Sequence, residues 1–395
     1  LNHQKHPYIQ YKPRTQKLAM NDVEELLQQD QKTIMRSIIQ RIATGPDMSK
    51  DISLEEARAG MGAILDEAVD PVQAAIFLIA LRMKRETDDE NKGVLSAIQD
   101  KANTVTADVD EVFDLSDPYN GYNRTLPAAP FVPAVLAACG VPTVSHGVET
   151  MSPKFGITHH RVLKAAGKDV TLSVQQAADQ ISDSNVGWSY VDQKAYCPSL
   201  HDLTPLRSNI VKRQAITTVE VLVGPIRGKK KTHYMSGYVH KPYTRVYAML
   251  ARHAGFDSCL MIRGVEGGIT PSLRQSGKVF YYHDKAEEVA QEFNPADIGI
   301  EQDVRATPLP DELPPAPESE DVSAHFDADA VAKMAADAGV AALNGEKGST
   351  YDALVYSAAI ALWHLKKADS LEAAADKVRE VLDNGSALKH FQAAR

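Results

Sequence analysis

Residues 232–262 read THYMSGYVHKPYTRVYAMLARHAGFDSCLMI, and the fold is decided here. The first eight residues, rich in aromatic and β-branched side chains, read as a strand. A helical stretch over 243–254 follows, and Gly255 stands where a helix C-terminal cap belongs. The apolar run 259–262 is a short strand with no polar face, as buried strands are. A strand, a helix and a second strand in close succession predict a crossover between parallel strands, with the helix lying on the sheet.

The same rhythm extends in both directions. Short β-rich runs occur at 112–115, 143–145, 188–191 and 279–282. Helical stretches lie between most of them, at 134–138, 160–166, 174–181 and 209–223, and Gly167 and Gly224 follow two of these as caps. The expected fold is therefore α/β, with a mostly parallel central sheet. Upstream, from about 20 to 105, the pattern is helical throughout. Leu54, Ala57, Met61, Ile64, Leu65 and Ala68 mark one helical face, and Ser53 with Glu56 forms a capping box before it. Asp70 caps the next helix with Pro71 in its first turn, and Thr87 with Glu90 announces another. This predicts a small helical domain over 1–108, joined by helices from about 195–223. An α/β domain over 109–395 is interrupted by that excursion. Residues 305–321, RATPLPDELPPAPESED, read as an extended surface segment. Two or three more helices should follow, one of them striped by Leu371, Ala374, Ala375, Val378, Val381 and Leu382.

Composition agrees with a soluble globular chain, at 44% apolar and 24% charged residues. No apolar run is long enough to span a bilayer, which predicts no membrane partner. The polar, basic stretch LNHQKHPYIQYKPRTQK lacks the apolar run of a secretory signal. The expected location is cytoplasmic, or organelle stroma if a targeting peptide has been removed. Cys139, Cys197 and Cys259 are sparse and show no metal spacing, so they read as buried apolar side chains in a reducing compartment. The histidines show no metal spacing either, and no metal ligands are assigned. The net charge of −9 disfavours non-specific polyanion binding.

Three stretches resemble the anthranilate phosphoribosyltransferase family, also called family-3 glycosyltransferases. Residues 73–83, QAAIFLIALRM, resemble its "AFLxALRxKG". Residues 145–156, SHGVETMSPKFG, resemble "KHGNRxxSSxxG". In the tail, Gly345, SAAIAL at 357–362 and DNGSAL at 383–388 resemble "LxG", "NAAxxL" and "SGxAxxxL". The resemblance implies a helical domain, a larger α/β domain and an active cleft between them. It also implies a homodimer through the helical domain, and transfer of a phosphoribosyl group with Mg²⁺, as in tryptophan biosynthesis.

The chain departs from that family at two places. Asp117-Pro-Tyr-Asn-Gly121 stands where the glycine-rich loop GTGGD wraps pyrophosphate. One glycine remains, Pro118 lacks an N–H donor, and Tyr119 brings bulk. The Mg²⁺-binding Asp-Glu pair follows "HGxxGL" in the family. Here, in Arg263-Gly-Val-Glu-Gly-Gly-Ile-Thr270, Ile269 and Thr270 hold those positions, and Glu266 is a nearby carboxylate out of register. Mg²⁺ favours carboxylate and phosphate oxygens, so the site for this ion should be weakened or lost. Tyr119-Asn-Gly121 and Ser236-Gly-Tyr-Val-His-Lys-Pro-Tyr243 are similar to a divergent, enzymatically obscure branch, some members of which bind nucleic acid through a basic groove.

The candidate phosphate or sugar-phosphate contacts are Asn120, Gly121, Arg124, Thr125, His146, Gly147, Lys154 and Gly156. Tyr119, Arg213 and Pro225 are candidates for an acidic acceptor; Lys212 and Arg213 are expected at the start of a long helix. Each has a plainer reading: a turn for Asn120-Gly121, a strand end for His146-Gly147, solvated charges for Lys154 and Arg213, a helix stop for Pro225. Arginine gives bidentate contacts to phosphate or carboxylate. The expected partner is a phosphorylated small molecule. A nucleic-acid alternative rests on the basic run Arg227, Lys229, Lys230 and Lys231, with Tyr234, Tyr238, Tyr243 and Tyr247 close behind. Exposed loop and sheet packing are the ordinary accounts of those residues.

Overall fold

The structure is a computed structural model that describes residues 18–45, 47–318 and 324–395. The first 17 residues and the last part of the proline- and acid-rich segment lie outside the described residues. Five helices open the described residues: α1 (Met20–Leu27), α2 (Gln31–Ile42), α3 (Leu54–Leu65), α4 (Pro71–Lys84) and α5 (Asp88–Lys101). Their starts are written locally. Asp30 and Asp70 cap α2 and α4, and full capping boxes at Ser53/Glu56 and Thr87/Glu90 begin α3 and α5. Helices α3 and α5 cross closely at Gly93, where a Cβ would stand 2.3 Å from the Leu54 carbonyl oxygen.

The main sheet has seven strands: β2 (Glu111–Ser116), β3 (Thr143–Gly147), β4 (Trp188–Asp192), β6 (Lys231–Gly237), β7 (Ser258–Ile262), β8 (Gly277–Tyr282) and β9 (Val289–Phe293). Their spatial order is β4-β3-β2-β6-β7-β8-β9. The first five are parallel, and β8 and β9 run antiparallel. A separate parallel pair joins β1 (Val105–Thr106) to β5 (Ile226–Arg227). The chain moves outward from β2 through β3 to β4, then returns to the other side of β2 as β6. The strand order therefore reverses between β2 and β6, and open parallel sheets leave a crevice beyond the strand ends at such a point.

Side-chain alternation divides the core. Phe113, Leu115, Met235, Leu260 and Ile262 face one way, toward α6 (Val132–Ala138), α7 (His159–Ala165) and the C-terminal helices α14 (Ala328–Leu343), α15 (Ser349–His364), α16 (Leu371–Asp383) and α17 (Ser386–Ala393). Val112, Tyr234, Cys259 and Met261 face the other way. They pack in one apolar core with Ile38, Met61, Phe77 and Leu81 of the helical bundle and with α8 (Val174–Ser182). The three cysteines are free and buried.

Between β4 and β5 lie α9 (Gln193–Tyr196), α10 (Pro198–His201), α11 (Thr204–Ile210) and α12 (Ile216–Val219), and α13 (Tyr243–His253) follows β6. Helix α11 packs on α4, and α12 on α5.

Three expectations need correction. The single helix expected over 209–223 is broken: α11 ends at Ile210, Val211 takes a left-handed φ of +65°, and a new short helix starts at Ile216. Lys212 and Arg213 therefore lie in the bend rather than at a helix start. The bend brings Glu220 back onto Arg207, an arrangement a continuous helix could not make. Strand β9 was not foreseen, because most of its residues are solvent-exposed and it lacks an apolar face. The described tail holds four helices, one more than the upper expectation.

Candidate functional site

A cavity of about 210 Å³ opens at the switch point. Its floor is the chain leaving β2, Asp117 to Asn120, and the chain leaving β6, Ser236 to His240. Arg82 of α4, Arg213, Thr217 and Glu220 of the broken helical segment, and Tyr243 and Tyr247 of α13 form walls. The cavity is thus an interdomain cleft, bounded by both lobes.

The floor rests on a buried polar network. The Asp114 carboxylate lies 2.9 Å from His146 Nε2, and Ser116 Oγ lies 3.0 Å from the same nitrogen. Ser116 donates to the Val221 carbonyl, 2.7 Å away. The carboxylate makes Nε2 the protonated nitrogen, which leaves Nδ1 to accept from the Tyr119 hydroxyl. Tyr196 OH completes the chain at 2.6 Å from Tyr119 OH. Burial, with Tyr196 second, pushes the Tyr119 phenol well above its ordinary pKa, so it stays protonated.

Three carboxylates line the cleft, and protein donors hold each of them. Asp117 accepts from Ile269 N–H (2.9 Å), from Tyr122 OH (2.7 Å) and from His159 Nε2 (3.0 Å). Glu220 takes both guanidinium arms of Arg207 at 2.7 Å each and the Gln193 amide at 3.1 Å. Glu266 accepts from Asn123 N–H (3.2 Å), Arg124 N–H (2.9 Å), Thr125 Oγ1 (3.0 Å) and Lys154 Nζ (3.4 Å). Burial lowers the Lys154 pKa; Glu266 opposes this, and the positive charges of Arg213 and Arg124 add to it. Ile269 is fully buried and apolar, and Thr270 is buried with its Oγ1 unpaired. Among the described residues no group of three His, Cys, Asp or Glu side chains could hold a metal ion.

Among the cations Arg213 differs from these carboxylates. Arg213 is exposed at the cleft and has no ion-pair partner among the described residues. Arg82 reaches Glu86 at 3.5 Å and lies over the Tyr243 ring.

Of the candidate phosphate and acceptor contacts, Tyr119, Asn120 and Arg213 line this cleft, and so do Tyr238, Tyr243 and Tyr247, which the sequence offers only for the nucleic-acid alternative. Arg124, Thr125 and Lys154 gather instead around Glu266 at its rim. Gly121 presents its carbonyl to Lys154 Nζ at 3.2 Å, and Gly156 N–H donates to the Asn120 carbonyl at 3.0 Å. Both glycines allow close backbone packing: a Cβ on Gly156 would meet Tyr122 O at 2.4 Å. His146 is 1% exposed and lies behind Tyr119, not in the cleft as its motif suggested. Gly147 beside it also lines no part of the cleft. Pro225 is buried outside the cleft, where its carbonyl accepts from Val105 N–H.

The basic run begins β6, at the opposite end of the sheet. Arg227 is used structurally, bonded to three backbone carbonyls and stacked on Phe256. Lys229, Lys230 and Lys231 pair with Asp108, Asp110 and Asp284. Arg82, Glu220 and the tyrosines of α13 were missed as cleft walls, since only the tertiary fold brings them to the switch point. Glu266 was seen in sequence, but its donors come from two distant segments.

Residues 36–102 match the glycosyl transferase family's helical bundle domain, and residues 120–307 match that family's a/b domain. An uncharacterized protein of Aquifex aeolicus is 32% identical over 60% of this chain and 71% of its own length. The anthranilate phosphoribosyltransferase of Sphingopyxis alaskensis is 27% identical over 88% of this chain and 96% of its own. Among solved structures, the anthranilate phosphoribosyltransferase of Saccharomyces cerevisiae in complex with PRPP and Mg shares the fold. Its TM-score is 0.68 at 14% identity, over 91% of this chain and 96% of that one. With both family domains in order along the chain and the same two-lobed architecture, this protein belongs to the glycosyl transferase family of the anthranilate phosphoribosyltransferases.

Proposed function

We propose that the cleft binds a phosphorylated small molecule through Arg213, and that the chain has lost Mg²⁺-dependent transfer to anthranilate. One observation carries this reading: every carboxylate lining the cleft is occupied by protein donors, while Arg213 faces the cleft with no ion-pair partner among the described residues. A hard divalent ion needs free carboxylate or phosphate oxygens. Ile269 and Thr270, at the positions the family gives to acids, supply no carboxylate. The ligand class is supported by the relative of the same fold that was solved with PRPP and Mg. Guanidinium groups suit phosphate and carboxylate alike, and Tyr243 and Tyr247 offer aromatic surface beside them.

A nucleic-acid surface at Arg227–Lys231 has less support, since those side chains are engaged in ion pairs or backbone bonds. Self-association through the helical domain is favoured by α4, whose outer face exposes Val72 and Met83. Calorimetric titration of phosphoribosyl pyrophosphate into the wild type and Arg213→Ala tests the proposal. Heat in the wild type, lost in the variant and indifferent to Mg²⁺, is the expected result. Turnover of anthranilate with Mg²⁺ would overturn it.

A further inference from the structure

The loop after β7 holds one side chain in a fixed position. Its glycines leave no room for anything larger: a Cβ on Gly264 would lie 1.5 Å from Gly268 O, and one on Gly268 would lie 1.6 Å from the Tyr122 hydroxyl. Asp117 clamps the same loop, accepting Ile269 N–H on one oxygen and Tyr122 OH on the other. Within it, Glu266 adopts φ +54°, ψ +14°, a left-handed conformation uncommon for a residue with a Cβ.

That backbone aims the Glu266 carboxylate at four donors. Consecutive backbone N–H groups of Asn123 and Arg124 converge on it at 3.2 and 2.9 Å. The Thr125 hydroxyl approaches at 3.0 Å and Lys154 Nζ at 3.4 Å. The carboxyl side chain is only 7% exposed. Successive N–H groups with a hydroxyl and an ammonium make the donor set that selects a small oxyanion. An ordinary surface ion pair has no need of two main-chain donors or of a left-handed residue.

We infer that this cradle is an oxyanion site whose resident anion is Glu266, an internal carboxylate that shuts it against phosphate or carboxylate ligands entering from the cleft. The inference rests on the cleft reading only in taking the cleft as the route of entry. A phosphorylated ligand then contacts Arg213 and leaves Lys154 and Thr125 untouched. A second phosphate site arises by removing one carboxylate, with no added base.

The test is thermal unfolding of the full chain in inorganic phosphate against chloride at matched ionic strength, with acetate as a carboxylate arm. An Arg213→Ala background removes phosphate held by the cleft arginine. Failure here thus leaves the cleft reading standing, and failure of the cleft titration leaves this one standing. Chains with Glu266 intact should melt alike in all three salts. Glu266→Ala should melt lower in chloride and regain on the order of 2–5 °C in phosphate or acetate. Adding Lys154→Met should abolish that recovery. Equal melting of Glu266→Ala in all salts overturns the inference, as does a phosphate response with Glu266 intact that Lys154→Met removes. If Glu266→Ala folds only in phosphate or acetate, the inference is supported. If it folds in none, Glu266→Asp decides, since it withdraws the carboxylate by one methylene. Phosphate-dependent melting of that variant supports the inference, and phosphate-independent melting refutes it.

Discussion

Replacing Arg207 with Met should cost about 3–5 kcal/mol of stability, the usual penalty for stranding one member of a buried ion pair. The pair is fully enclosed, with side-chain exposures of 0% for Arg207 and 1% for Glu220. Both guanidinium arms lie 2.7 Å from the carboxylate, and Arg207 Nε adds a 3.2 Å bond to Gln214. Without Arg207, Glu220 keeps the Gln193 amide as its one donor among the described residues, and Gln214 loses a donor. A carboxylate left so dry is costly whether it stays charged or takes a proton. Adding Glu220→Leu should recover much of the loss, because an apolar pair of similar volume can be close to neutral. Urea unfolding followed by circular dichroism would show a lower midpoint at unchanged slope for the single variant, with partial return in the double. The pair also sets the bend that carries Arg213, so ligand binding in the cleft should weaken along with stability. A loss below about 1 kcal/mol for Arg207→Met, or none recovered in the double variant, would refute the assignment of this pair as the brace of the cleft wall.

Acid should weaken the sheet end opposite the cleft. His364 is buried and bonded to Ser258 Oγ, which also meets His233, and His283 stacks on His364. Burial lowers the pKa of all three, that of His364 furthest. Their neutral forms therefore favour the fold. That contribution is complete above the unfolded pKa of about 6.5 and is lost as pH falls below it, by up to about 1.4 kcal/mol per pH unit per histidine. Unfolding midpoints from pH 7.5 to 5 should fall less steeply in His364→Gln; identical slopes would contradict this. Gly93→Ala should destabilise by about 1–3 kcal/mol, since the added methyl meets the rigid Leu54 carbonyl, and calorimetric melting would read it. For the proposed self-association through α4, light scattering should find a dimer in the wild type and a monomer in Met83→Lys, with monomer stability changed by less than about 0.5 kcal/mol; a monomeric wild type or an unchanged mass in the variant would refute it.

Much of the architecture was legible because it is encoded locally. Ser53/Glu56 and Thr87/Glu90 announce helix starts within four residues, and the short run CLMI after Gly255 reads as a buried strand. The parallel sheet follows from alternation, which the stretch 232–262 states by itself. The break at Val211 was not legible, because nothing at 209–215 breaks helical pattern. What bends the chain is Arg207 meeting Glu220 and Gln214 in the folded state. Strand β9 joins an exposed edge, where pairing alone supplies the reason for its conformation. The site divides in the same way. The family resemblance assigns Tyr119, Asn120 and Arg213 to one expected cleft, and all three line it. His146 is different: its motif fixes its position at a strand end, but the Tyr119 ring, where the family has glycine, covers it from the cleft. No spacing rule could pair Glu266 with Lys154, since 112 residues separate them.

The most direct measurement is calorimetric titration of phosphoribosyl pyrophosphate into the wild type and Arg213→Ala, each with EDTA and with excess Mg²⁺. Saturable heat is expected in the wild type, the same in both solutions and absent from the variant. Binding that appears only with Mg²⁺, or that survives loss of Arg213, would contradict it.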